Sequence, residues 1–339
     1  MPEDETLTVG NLGESGLLAR ILPRLRGAEP LLGPGDDAAL ISAPGGAFVF
    51  TVDTLVENQD FRLHWPSGFE SSGYDVGWKS AAQNLSDVNA MGAYATAAVI
   101  SLTLPHHTPV KWVEDLAEGF SAAVRELGAV HCAIAGGDLG RGTELSITAA
   151  LTGAVVTGKV ILRSGAKPGD IIAVSGVLGQ AAAGLALLDS AVPVKDWSEC
   201  MERLVYAQRR PQPPLLAGPA AAAAGATAMM DLSDGLLKDG RRLAIASAVR
   251  LEFERDALIK DAEKLESMAA RLGKDPFEWV LGGGEDHGLL ATFPPEAEIP
   301  SGFRPVGVVL RREAGDTHEA VTLDGEPPEV TSGYDHFEG

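Results

Sequence analysis

The sequence predicts a two-domain α/β protein with a mixed α+β character, and three observations carry that expectation. At 339 residues the chain holds about two domains of roughly 150 residues, each able to bury its own core. Short apolar runs alternate with segments of helical period. The second half then repeats the grammar of the first, each half having strands that close on acids and one glycine-glycine-acid turn: Gly136-Gly137-Asp138, and Gly283-Gly284-Glu285. Two α/β halves with acids at their junction suit this echo better than a solenoid. A change to connector character near residue 155 divides the chain into 1–155 and 156–339.

Composition narrows the function. Hydrophobic residues are 45% and charged residues 22%, ordinary globular values, while 40 Gly and 21 Pro imply many tight turns. The formal charge of −20 would repel a phosphate backbone or an anionic bilayer, so neither nucleic acid nor membrane is an expected partner. Cys132 and Cys200 fit neither a zinc spacing nor a disulfide framework. The acidic start MPEDETLTVG lacks a signal pattern, and no stretch reaches the roughly 18 apolar residues of a membrane span, so a cytoplasmic protein is expected.

In chain order, Leu17, Leu18, Ile21, Leu22 and Leu25 give residues 14–25 a helical period weakened by Pro23. Phe48 to Asp53 reads as a strand ending in a carboxylate. Residues 74–91 place Val76, Ala81, Leu85, Val88 and Met91 near one helix face, with Gly92 as cap and with Asn84 and Asp87 one turn apart. A strand over 97–104, a helix over 110–127 and a second buried strand over 130–135 follow. The second half reads as a strand at 171–175, helices at 180–188, 198–209 and 214–224, and a strand at 227–230 closing on Asp231 and Asp234. Helices at 236–247 and 261–272 and a strand at 289–293 complete it.

Several familiar signatures lack support. Gly153 to Val160 has phosphate-loop spacing, but Val160 replaces the hydroxyl that would bind magnesium, and a surface hairpin explains it better. In Gly33-Pro34-Gly35-Asp36-Asp37-Ala38 two carboxylates would face a dinucleotide pyrophosphate. No HExxH pair or GxSxG elbow occurs.

What remains is a recurring set of carboxylates, several of them in glycine-containing turns: Asp36, Asp37, Asp53, Asp87, Asp138, Asp231, Asp234, Glu285 and Asp286. A single such acid is ordinarily a solvated turn or a helix cap. Asp53, Asp138 and Asp231, however, each close an apolar run, the position at which α/β proteins build sites. Gathering such acids without compensation costs heavily in repulsion, and a hard divalent cation such as Mg2+, completed by water and phosphate oxygens, would relieve it. Thr51 and Ser233 can add oxygen ligands, the N–H groups of Gly136 and Gly137 can approach a phosphate, and Arg163 offers a fork for a phosphate oxygen.

The segments GDDAAL (35–40), TVDTLVE (51–57), KSAAQNLSDVNAMGA (79–93), GGDLGRG (136–142), LRSGAKPGD (162–170), DLSDGL (231–236), GGGED (282–286) and GYDHF (333–337) together resemble the thiamine-monophosphate kinase family of the aminoimidazole-ribonucleotide synthetase-like superfamily. The resemblance implies an N-terminal sheet that pairs across a homodimer and a C-terminal α/β domain over the cleft. It implies transfer of the γ-phosphoryl of ATP to thiamine phosphate. Asp37, Thr51, Asp53, Asp87, Asp138, Asp231 and Asp234 would hold Mg2+, Gly137, Asp138, Arg163 and Ser233 would contact ATP, and Asp60, Glu285 and Tyr334 would lie beside thiamine phosphate. No side chain is expected to act as acid or base. Departures from the family pattern fall at Val52, Asp60, Leu139-Gly140 and His287-Gly288. The alternatives are a purine-synthesis ligase or a selenophosphate synthetase of the same superfamily, the latter lacking its N-terminal reactive cysteine here, and a noncatalytic nucleotide-binding protein.

Overall fold

In Gly46–Val56, Val49, Thr51 and Leu55 are buried while Phe50, Val52 and Thr54 are exposed, the period-two alternation of a strand with one covered face. This strand, β2, belongs to a five-stranded sheet in the computed structural model, which describes residues 31, 36–43, 46–155, 160–312 and 320–330. The other members are β1 (Ala39–Ala43), β3 (Ala93–Leu104), β4 (Ala133–Arg141) and β5 (Ser146–Val155), in the order β1-β2-β5-β3-β4. Only the β3–β4 pair is parallel.

Helices α1 (Gly73–Ala90) and α2 (Val110–Glu126) lie against each other, and α1 packs on β2, β3 and β5. Ser72 and Asp75 form a capping box that starts α1. The periodicity predicted one apolar face for α1, yet nearly every residue of it is buried, because its other side meets the second half of the chain. There Trp78 Nε1 donates to the carbonyl of Pro211 at 2.9 Å, and Asn89 Oδ1 accepts from the Gly218 N–H at 3.0 Å.

The approach of α1 to α2 depends on glycine. A Cβ on Gly77 would stand 2.0 Å from the Leu116 carbonyl oxygen, and one on Gly119 would stand 2.0 Å from that of Tyr74. Gly77→Ala is therefore expected to force the helices apart and cost about 3 kcal/mol, measured by denaturant unfolding.

A six-stranded sheet forms the second half: β6 (Ile171–Ser175), β7 (Ala228–Leu232), β8 (Val249–Phe253), β9 (Gly288–Phe293), β10 (Phe303–Arg311) and β11 (Val321–Leu323), in the order β11-β8-β10-β6-β9-β7. Its pairs are antiparallel except β8–β11. β7 and β9 are buried throughout, which explains their continuous apolar runs. The helices here are α3 (Gln180–Leu188), α4 (Glu199–Arg209), α5 (Ala217–Ala223), α6 (Leu236–Ala246), α7 (Arg255–Leu272) and α8 (Pro276–Gly282). Leu236, Leu243, Leu251, Phe253, Leu258 and Leu265 anchor the largest core cluster.

The expected strand at 130–135 needs correction. β4 runs from 133 to 141 and is exposed along its whole length, because among the described residues it is the sheet's edge and no helix packs on it. β1, β5, β8, β10, β11 and α8 were absent from the sequence reading. β5 is rich in Ala, Gly and Thr, and Pro305 interrupts β10 at a register shift, so neither carries a clean strand pattern. The helix predicted at 14–25 lies outside the described residues, as do residues 156–159 of the phosphate-loop lookalike.

Candidate active site

Thr51 and Asp53 follow the alternation of β2 onto the face that α1 covers. Thr51 Oγ1 donates to Asp87 Oδ2 on α1 at 2.7 Å, and the Asp53 N–H donates to Asn84 Oδ1 at 3.1 Å. Asn84 and Asp87, one helical turn apart, thus fix β2 and the site together. From the second half, β7 delivers Asp231, and the turn beyond it delivers Ser233 and Asp234. Asp53, expected at the end of its strand, lies inside it, and Asp231, expected just beyond its strand, belongs to it.

Carboxylate oxygens of Asp37, Asp87 and Asp231 all lie within 4.8 Å of one another. They open on a cavity of about 420 Å³ that is also lined by Asp36, Thr51, Asp53, Asp60, Arg163, Ser233, Asp234, Arg242, Glu285 and His287. Burial is the main reason that the carboxyls of Asp87 and Asp231 are pushed well above the ordinary carboxylate range. The charges of Asp53, Asp231 and Asp37 add to the effect on Asp87, and that of Asp37 adds to the effect on Asp231. A hard-oxygen donor set with such repulsion has the chemistry of a magnesium site.

The cations are few and already engaged. Arg163 Nη2 meets Asp37 Oδ1 at 2.8 Å and its Nε meets Oδ2 at 3.2 Å, while its backbone N–H donates to Asp36 Oδ1 at 2.6 Å. Arg242 Nη1 reaches Asp234 at 2.7 Å and Asp239 at 2.9 Å. Asp239 is fully buried and accepts the N–H groups of Asp234 and Gly235, so it shapes the turn from beneath. Burial and the Asp234 and Asp231 charges push its carboxyl up to about 8. His287 Nδ1 lies 3.4 Å from Asp231 Oδ2, and burial lowers its pKa, favouring neutral imidazole. Asp286, buried, accepts the N–H groups of Gly179 and Ala181 at the start of α3, a structural role.

Of the residues singled out from sequence, Asp37, Thr51, Asp53, Asp60, Asp87, Arg163, Asp231, Ser233, Asp234 and Glu285 all line this one cavity. One oxygen of Asp60 turns back to accept the Val56 N–H at 2.7 Å. Tyr334 lies outside the described residues.

Asp138 and Gly137 do not line the cavity. Across the sheet Asp138 pairs with Ser101, Ser101 with Thr148, and Thr148 with Thr54. Asp138 is thus level with the site but three strand spacings away, about 14 Å, and it shares the uncovered face with Ser101 and Thr54. The absence of a Cβ at Gly137 answers to the neighbouring strand, since a Cβ there would stand 1.7 Å from the Ile100 carbonyl oxygen.

Sequence reasoning missed Arg242, Asp239, Lys79 and the hydrogen bond by which Asn84 holds the Asp53 backbone. The available signal was polar residues inside helices that were otherwise small or apolar, as in Lys79-Ser80-Ala81-Ala82.

Comparison with known proteins places this geometry. The family described as AIR synthase related protein, N-terminal domain, matches residues 35–155. A thiamine-monophosphate kinase of Mycobacterium tuberculosis is 41% identical over 334 residues, covering 98% of this chain and 94% of that protein. The thiamine-monophosphate kinase of Escherichia coli K12 is 33% identical, with 96% and 98% covered. The solved structure of AaThiL complexed with AMPPCP and TMP superposes with a TM-score of 0.84 at 31% identity, covering 98% of this chain and 99% of that one. The hydrogenase maturation protein HypE, in its complex with HypF, shares the fold alone, at 16% identity and a TM-score of 0.63.

Proposed function

The chain belongs to the thiamine-monophosphate kinase family, and on that premise we propose that its carboxylate cavity is where ATP and thiamine phosphate react. The activity is ATP-dependent phosphorylation of thiamine phosphate to thiamine diphosphate. The convergence of Asp37, Asp87 and Asp231 from three separate segments is the observation that carries the assignment of the site.

The acceptor supplies its own nucleophile. A phosphate monoester with a second pKa near ~6 is largely dianionic at neutral pH, so no side chain needs to remove a proton. The barrier is the approach of two anions. Asp37, Asp53, Asp87, Asp231 and Asp234, with Thr51, would hold Mg2+, which when bound neutralises phosphate charge and aligns the partners for in-line transfer. Arg163 and Ser233 would meet ATP phosphate oxygens. Asp37 holds the guanidinium of Arg163 in a fixed fork at the cavity wall, so the cation is oriented before ATP arrives. Glu285 would face the cationic ring of thiamine phosphate, Tyr334 is assigned to the same end by the family pattern, and Asp60 would stand there as a departure from that pattern.

We further propose that the chain works as a homodimer, with 1–155 as the ATP, Mg2+ and dimerisation domain and 156–339 as the domain completing the site. On the uncovered face of the first sheet Phe50, Val52, Tyr94 and Val99 are exposed, an apolar surface that a second copy would bury. The same face carries Asp138. Use of ATP, together with two free cysteines, supports a cytoplasmic setting. Among the described residues no helix is long and apolar enough to cross a membrane.

The test is incubation with ATP, Mg2+ and thiamine phosphate, following thiamine diphosphate and ADP by chromatography. Stoichiometric formation of both is expected. Arg163→Met should raise the KM for ATP about tenfold while leaving that for thiamine phosphate nearly unchanged. ATP consumption without thiamine diphosphate would overturn the substrate assignment.

A further inference from the structure

Lys79 is a lysine where a lysine is costly. It lies on α1 and is 3% exposed, so its ammonium must find partners within the protein. It finds two, on different segments. Nζ contacts Glu285 Oε1 at 2.5 Å and donates to the carbonyl oxygen of Asp60 at 2.8 Å. The second carboxylate oxygen of Glu285 accepts from Nε2 of Gln208 on α4, itself 3% exposed, at 3.3 Å.

The Glu285 backbone is held as well. Its φ of +67° is left-handed, a conformation uncommon for a residue with a Cβ, and its N–H donates to the Ser233 carbonyl at 2.8 Å. Glu285 stands outside the group of Asp37, Asp87 and Asp231, yet it lines the same cavity. One buried cation therefore joins α1, the loop after β2 and the turn before β9, and it sets the position of a cavity acid, with a contact closer than the 3.4 Å between Lys238 and Asp234.

We propose that Lys79, with Gln208, is a positioning residue for the acceptor: together they orient the Glu285 carboxylate that receives the cationic ring of thiamine phosphate. This rests on the reading that Glu285 lies at the acceptor end of the cavity. Lys79 itself touches no reacting atom. It offsets the Glu285 charge, keeps the Asp60 loop in place and leaves Glu285 one geometry to present.

The experiment compares the full-length wild type with Lys79→Met, Lys79→Arg and Gln208→Met, measuring KM for each substrate, kcat and the thermal midpoint. Lys79→Met is expected to raise the KM for thiamine phosphate about tenfold or more, with the KM for ATP within about twofold of wild type. Lys79→Arg should recover part of the loss, and Gln208→Met should show the same one-sided effect in smaller measure. A merely structural role would lower the thermal midpoint and kcat without singling out one substrate. An unmoved acceptor KM, or equal rises in both, overturns the proposal. If Lys79→Met does not fold, Gln208→Met decides by the same readout. Wild-type protein that fails to convert thiamine phosphate refutes the reading of the site, whereas active wild type with unmoved acceptor KM in the variants refutes the clamp alone.

Discussion

Asp231→Asn and Asp87→Asn are each expected to lose at least about 10²- to 10³-fold in kcat while making the magnesium-free protein more stable. The two effects have one cause. In the folded chain these carboxyls share a small buried volume with Asp37 and with each other, so ionising them is unfavourable. Asparagine removes a charge at nearly constant shape. At Asp87 it can still accept the Thr51 hydroxyl, which now donates at 2.7 Å. Turnover and unfolding measured on the same preparations check both halves. Wild-type turnover in both variants would show that the acids are not the cation site, and a large fall in stability would show that they serve the fold.

The pH dependence follows from the same shifts. Unfolded carboxylates titrate near ~3.9, whereas Asp87 and Asp231 titrate higher when folded. Above about pH 4 the native state consequently holds more protons than the unfolded one, and stability falls as pH rises toward the folded values. Asp239, pushed up to about 8, extends that window into the neutral range. Metal-free protein should therefore melt at lower temperature at pH 8 than at pH 6. Mg2+, which binds the ionised form, should raise the midpoint more at pH 8 than at pH 6. In Asp231→Asn both slopes should be flatter, as scanning calorimetry would show.

Most acids of this site were legible because they declared themselves locally, Asp87 within its helix being the exception. Asp37, Asp234 and Glu285 sit beside glycine or another acid in a sharp turn, and Asp53 and Asp231 follow apolar runs that no solvated loop requires. Charge alone left the acids either dispersed in solvent or neutralised together, and the family resemblance pointed to the second. Lys79 and Arg242 were not legible, because a cation on a helix reads as a solvated surface residue until the packing on every side is known. α1 illustrates the difficulty: its period suggested one buried face, and only the second half of the chain, docking on the other side, buries the lysine. Asp138 shows a further limit. Its Gly-Gly-Asp turn matches the other acid turns in sequence, but strand order decides where it stands, and β4 lies at the edge farthest from β1.

That position generates the last expectation. Asp138 does not line its own chain's cavity and stands on the sheet face that exposes Phe50, Val52 and Val99, while the family resemblance assigns it to Mg2+ and ATP. A second copy seated on that face, as in the proposed homodimer, would reconcile the two, with each cavity receiving Asp138 from the other chain. Asp138→Asn and Asp231→Asn homodimers should then each be nearly inactive. Unfolded together and refolded as a mixture, they should form mixed dimers in which one cavity carries both substitutions and the other carries neither. With random pairing half the dimers are mixed and half of their sites intact, so about a quarter of wild-type activity should return. Size-exclusion chromatography should find wild type at twice 35.3 kDa, and Val52→Asp should shift it toward the single-chain mass and lower turnover in parallel. No recovery on mixing, with both parents folded and dimeric, would mean that Asp138 serves its own chain or no site at all.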